Sequence, residues 1–224
     1  MGYYINFEKV SLSDYKMRLL KVHLVPSRML LRDNIDEQFA FIAGAGISNI
    51  DEFLTAVKTS AKLQDFIEKS GVEENYLKIL KREINSTIPK PNKFIDFPNL
   101  EAETVEKLEN IGIKKTSELY EQILTPNNRT VFAEKSGLSS ESVLRLAQLT
   151  DLSRVQWVNH TFAAMLYELG YETAEMMAAA DPETLHTELN RLNKEKNIYH
   201  HGFGLADMER CIFAAGEIPV ELEI

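Results

Sequence analysis

FPNLEAETVEKLENIGIKKTSELY, residues 97–120, is the clearest copy of a pattern that recurs along this chain. Val105, Leu108 and Ile111 recur at the spacing that puts side chains on one side of a helix. Gly112 ends that helix, because glycine tolerates the positive φ of a helix terminus. Ile113 then packs the corner, and Thr116 starts the next helix.

Working outward, the pattern repeats at a fixed distance. Gly46 and Gly112 are 112 − 46 = 66 residues apart, and Gly71 and Gly137 are also 137 − 71 = 66 apart. The same shift carries Phe39 to Val105, Ile42 to Leu108, Ile47 to Ile113, Phe53 to Leu119 and Phe66 to Phe132. Glu68-Lys69-Ser70-Gly71 maps onto the identical Glu134-Lys135-Ser136-Gly137. A looser third copy begins at Leu152, where Gly170 follows Gly112 by 170 − 112 = 58 residues. Self-similarity of this length predicts stacked supersecondary units that bury a shared apolar interior. The expected segments are residues 1–93, 94–159 and 160–224, packed as one continuous unit.

Short helices are expected nearly throughout. Ser11 or Ser13 can cap a first helix through Lys21, which Pro26 stops. Lys62 to Ser70 and Glu73 to Ile84 form a pair around Gly71, and Tyr76, Leu77, Leu80 and Ile84 make a helical stripe. Thr125-Pro126 and Asp181-Pro182 each place a cap before a proline at the first helical position, and Ser140 before Glu141 caps another start. No alternating run is long enough for a sheet. Asn85 to Pro98 carries three prolines and is expected to be a structured crossover packed by Ile88, Phe94 and Phe97. The fold class is therefore all-α.

Composition is that of an ordinary globular chain, with 44% hydrophobic and 26% charged residues among 224. No apolar run approaches a membrane span, and the first residues lack the pattern of a secretory signal. The single Cys211 excludes an internal disulfide and fits a reducing cytoplasm. Net charge is −9, unevenly spread: residues 1–33 give 6 − 3 = +3, while residues 160–224 give 4 − 12 = −8. A polyanion would have to approach from the N-terminal side.

The 97–120 pattern resembles the tandem helix-hairpin-helix fold. In that family a glycine-bearing hairpin lets backbone amides approach a DNA phosphate. Here the equivalent positions, Pro98 to Glu101, Gln156 to Asn159 and roughly Arg32 to Ile35, contain no glycine. Glu101 and Asp33 place negative charge where phosphate would sit. More closely, the chain resembles the domain of unknown function 4332 family, through Ile79 to Pro91, Asp96-Phe97-Pro98, Leu149 to Val158 and Asp181 to His186, over about Tyr3 to Ala215. The resemblance implies a helix-hairpin-helix-like helical fold and supplies no activity.

Candidate sites follow from charge and exposure. Lys78, Lys81, Arg82, Lys90 and Lys93 flank the proline-rich crossover and are the candidate phosphate contacts, because several cations together release enough counterions to bind. Arg18, Lys21, Arg28 and Arg32 could extend this patch. Ala133, Gly137 and Val143, and likewise Ile67, Gly71 and Leu77, also have helix-turn-helix spacing, which would present Lys78, Lys81 and Arg82 from one helix and Arg145 from the other. Trp157, with Arg154 before it, is a candidate partner anchor, although a sole tryptophan more often plugs a core. Among His23, His160, His186, His200 and His201, no pair has helical metal-ligand spacing, so no metal is expected.

No Gly-rich phosphate loop or Gly-x-Ser-x-Gly elbow occurs, and Cys211 lies in an apolar helical stripe. The expectation is a non-catalytic binding module without a cofactor. Its partner is DNA or RNA held by phosphate contacts; the alternative is a protein–protein interaction scaffold.

Overall fold

The computed structural model describes residues 2–200 and 202–224. Among them there is no strand, and two isolated antiparallel bridges pair Ser11 with Asn49 and Lys93 with Lys115. The fold is all-helical.

The chain divides into two compact units, Ile5–Ile88 and residues 2–4 with Pro89–Ile224. The expectation of one interior common to all three segments is replaced by this division, with the second and third segments sharing a core. The smaller unit holds α1 (Leu12–Lys21), α2 (Ile35–Gly44), α3 (Ile50–Ala56), α4 (Ser60–Ser70) and α5 (Glu74–Ser86). The larger holds α6 (Ala102–Asn110), α7 (Thr116–Leu119), α8 (Pro126–Ser136), α9 (Ser140–Leu152), α10 (His160–Glu168), α11 (Ala174–Ala178), α12 (Pro182–Lys196) and α13 (Leu205–Gly216). Of the crossover residues, Phe94 and Phe97 are buried in the larger unit's core.

Element bounds follow the sequence shift. Adding 66 to Ser60–Ser70 gives residues 126–136, the span of α8, and adding it to Glu74–Ser86 gives residues 140–152, the span of α9. Adding 58 to Ala102–Asn110 gives residues 160–168, the span of α10. Local chemistry follows as well. Thr59 Oγ1 accepts from Lys62 N and Thr125 Oγ1 from Asn128 N, so both helices are capped alike. Ser70 Oγ donates to Phe66 O and Ser136 Oγ to Phe132 O, each at 2.7 Å. Ser139, not Ser140, caps α9, accepting from Ser142 N.

Gly46, Gly112 and Gly170 have φ of 88°, 83° and 87° where α2, α6 and α10 end. The left-handed conformation returns the chain for a hydrogen bond from Ile113 N to Leu108 O at 2.9 Å, and from Tyr171 N to Leu166 O at 3.0 Å. That corner buries Ile113 beside Leu108. Full burial of a leucine such as Leu108 contributes about 1.5–3 kcal/mol.

Candidate functional site

α5 is amphipathic. Tyr76, Leu77, Leu80 and Ile84 are buried, whereas Lys78 and Arg82, one helical turn apart, face solvent. α5 packs on α4, and the two helices with the end of α3 frame a groove of about 390 Å³. Its lining is Val57 to Ser60, Leu63, Asn75, Lys78, Ile79, Lys81 and Arg82, which includes no carboxylate. Lys58 was not singled out by sequence reasoning; it reaches this groove because α3 ends beside α5.

The cations differ in what they do. Lys81 Nζ donates to Val57 O at 2.6 Å and to Lys58 O at 3.0 Å, so it braces the end of α3. Lys78 pairs with Glu74 at 2.7 Å, both half in water, an arrangement worth only a few tenths of a kcal/mol. Among the described residues Lys58 and Arg82 make no ion pair. At the 66-residue shift Lys58, Lys78, Lys81 and Arg82 become Leu124, Leu144, Ala147 and Gln148, so the charge belongs to the smaller unit's copy alone.

Lys90 and Lys93 are exposed and belong to the larger unit. The Lys93–Lys115 bridge brings Lys93 to the exposed Lys114 and Lys115, a second cationic cluster. The Lys-Lys pair was visible in residues 97–120, but its partner across the bridge was not. Glu118 Oε2 accepts from Lys114 N at 2.7 Å and Lys115 N at 3.0 Å, which holds its carboxyl below the usual value.

The N-terminal arginines do not extend the patch. Arg18 and Arg28 both pair with Glu83, which is 1% exposed, and Arg32 donates to Leu19 O and Val22 O. Helix-turn-helix reading also fails at its second copy, because α9 is buried from Leu146 to Leu152. Arg145 there donates to Asn99 O and lies over the Tyr167 ring.

Arg154 is corrected as a partner contact. It is 2% exposed, donates to Asp151 Oδ1 at 3.0 Å, faces Glu221 at 3.7 Å, and stacks 4.5 Å from the Tyr120 ring centroid. Tyr120 Oη donates to Glu221 at 2.7 Å. Trp157 is corrected in the opposite sense: it is no core plug but 44% exposed. Val158 N donates to Val155 O at 3.1 Å, closing a turn whose third residue, Trp157, has φ +68°. Glycine is favoured there, and a side chain costs about 1–2 kcal/mol.

The histidines do not converge. His160 meets the Phe97 ring, and His186 Nε2 lies 3.3 Å from Phe203 O. His201 lies outside the described residues. Among the described residues no cluster of three metal-ligating side chains forms, and no helix is long and apolar enough to cross a membrane. Burial pushes the Cys211 thiol up to about 12, so it is not an activated thiolate.

No curated protein and no solved structure matches the chain. One family model does, described as Domain of unknown function (DUF4332), over residues 98–216. The match takes in Asp181 to His186 and Leu149 to Val158, and leaves Ile79 to Pro91 outside. Reaching from the start of α6 to the end of α13 and covering more than half of the sequence, it places this chain in the DUF4332 family.

Proposed function

We propose that the smaller unit binds the phosphate backbone of a nucleic acid in the α4–α5 groove, without reading base edges, as a non-catalytic module. One observation carries the reading. Four cations, Lys58, Lys78, Lys81 and Arg82, line a single groove with no carboxylate among its lining residues, in a chain of net charge −9. Thr59 and Ser60 set the N-terminus of α4 at the same groove, where the helix dipole adds to the attraction for an anion.

We further read the element spacing as tandem helix-hairpin-helix-like repeats, two close copies and a divergent third. Support comes from the coincident helix bounds and the shared left-handed glycines. In this reading side-chain cations replace the amides of a glycine hairpin. A reducing cytoplasm fits the single buried cysteine.

A mobility-shift titration with duplex and with single-stranded DNA tests the groove. Binding should weaken log-linearly with salt, and Lys78→Glu with Arg82→Glu should remove the shift while leaving helicity unchanged. Single charge-neutralising changes at either residue should reduce the salt slope by about 0.9. No shift at low salt with the intact chain would sink the reading.

A further inference from the structure

Trp157 occupies a left-handed turn position that favours glycine, and holds its ring half in water. Neither feature helps the hairpin fold, so local structure does not account for a bulky aromatic there. Strained residues of this kind cluster at binding sites, and exposed tryptophans anchor interfaces.

The surroundings select the partner. Between Asp151 and His160 the sole cation is Arg154, which is turned inward against Asp151 and Glu221. The hairpin therefore offers nothing to a phosphate. Cys211 Sγ lies 3.9 Å from Gln156 O, which seats α13 against the hairpin. α13 and its end carry Asp207, Glu209 and Glu217, and the chain from His160 onward sums to 4 − 12 = −8.

We propose that Trp157 anchors a docking surface for a lysine- or arginine-rich segment of a protein partner. A guanidinium or ammonium takes the face of the indole, and the acidic surroundings supply the complementary field. This surface is independent of the α4–α5 groove and calls for the opposite charge in its ligand.

The chain contains one tryptophan, so its own emission reports contact. Titrating the intact protein with an oligoarginine peptide should give a saturable change in Trp157 emission that salt weakens. Trp157→Gly should weaken binding of a labelled oligoarginine at least about tenfold, leave the melting midpoint equal or higher, and spare DNA binding by the groove; Trp157→Tyr should restore most of the affinity. Four results would overturn the proposal. These are unchanged emission with the peptide, a response to duplex DNA instead, emission that shifts with protein concentration alone (a second copy seated on the ring), or a melting midpoint that falls by several degrees in Trp157→Gly.

Discussion

Asp151 Oδ2 accepts a hydrogen bond of 2.8 Å from the backbone N–H of Ala174. At the corresponding helix starts the acceptor is a backbone carbonyl: Ile50 N donates to Val10 O and Thr116 N to Asn92 O. The third copy has no such bridge, and a buried carboxylate stands in for the missing strand-like carbonyl. Burial lifts the Asp151 carboxyl above its ordinary 3.8, with Ala174 N–H and Arg154 opposing. The folded state thus keeps a proton that the unfolded chain has already released, over a window from 3.8 up to the raised value. Stability from this group falls as pH rises through that window. Asp151→Asn should remove that decline, so the difference between wild-type and variant urea midpoints should change across the window. A constant difference would contradict it.

Arg154→Met should cost about 3–5 kcal/mol, because it strips the guanidinium from two acids at a buried site. Adding Asp151→Asn should recover part of the loss, since the residues act as a pair. Chemical denaturation of the two single variants and the double variant measures the coupling; additive losses would mean that the ion pair is not the reason for the inward turn.

Much of the fold could be read from the chain. The glycines at 46, 112 and 170, the caps at Ser11, Thr125 and Asp181, and the α5 stripe are local signals set within a few residues. What escaped was long-range. Arg28 looks like a surface cation until Glu83, 55 residues away, is placed against it. Arg154 has the same ambiguity until Glu221 arrives from the far end of the chain. Lys58 joins the candidate groove for an equally non-local reason. Trp157 escaped through a local irregularity, since propensity gives no reason to expect tryptophan at a positive φ.

Glu83→Ala should destabilise the smaller unit by about 3–5 kcal/mol, leaving two largely buried arginines without their shared carboxylate. Hydrogen exchange should show the loss in Ile5–Ile88. An unchanged melting midpoint would mean that solvent screens both pairs.

Gly112→Ala should cost about 1–2 kcal/mol. A Cβ there meets no atom within 4 Å, so the whole effect comes from φ +83°. Gly44→Ala, inside α2 with equally open space, should instead be neutral or stabilising by up to about 1 kcal/mol. Thermal melts of both variants decide it: equal losses would point to crowding rather than backbone conformation.

Two helices related by the 66-residue shift, α5 and α9, have met opposite fates. The one enclosed by α8 and α10 has traded its cations for leucine, alanine and glutamine, while the one with a wetted side keeps them. Similar scaffolding thus leaves its copies free to diverge in outlook, and a ligand for this chain is better sought on the copy that neighbours did not claim than on the one closest to the family pattern.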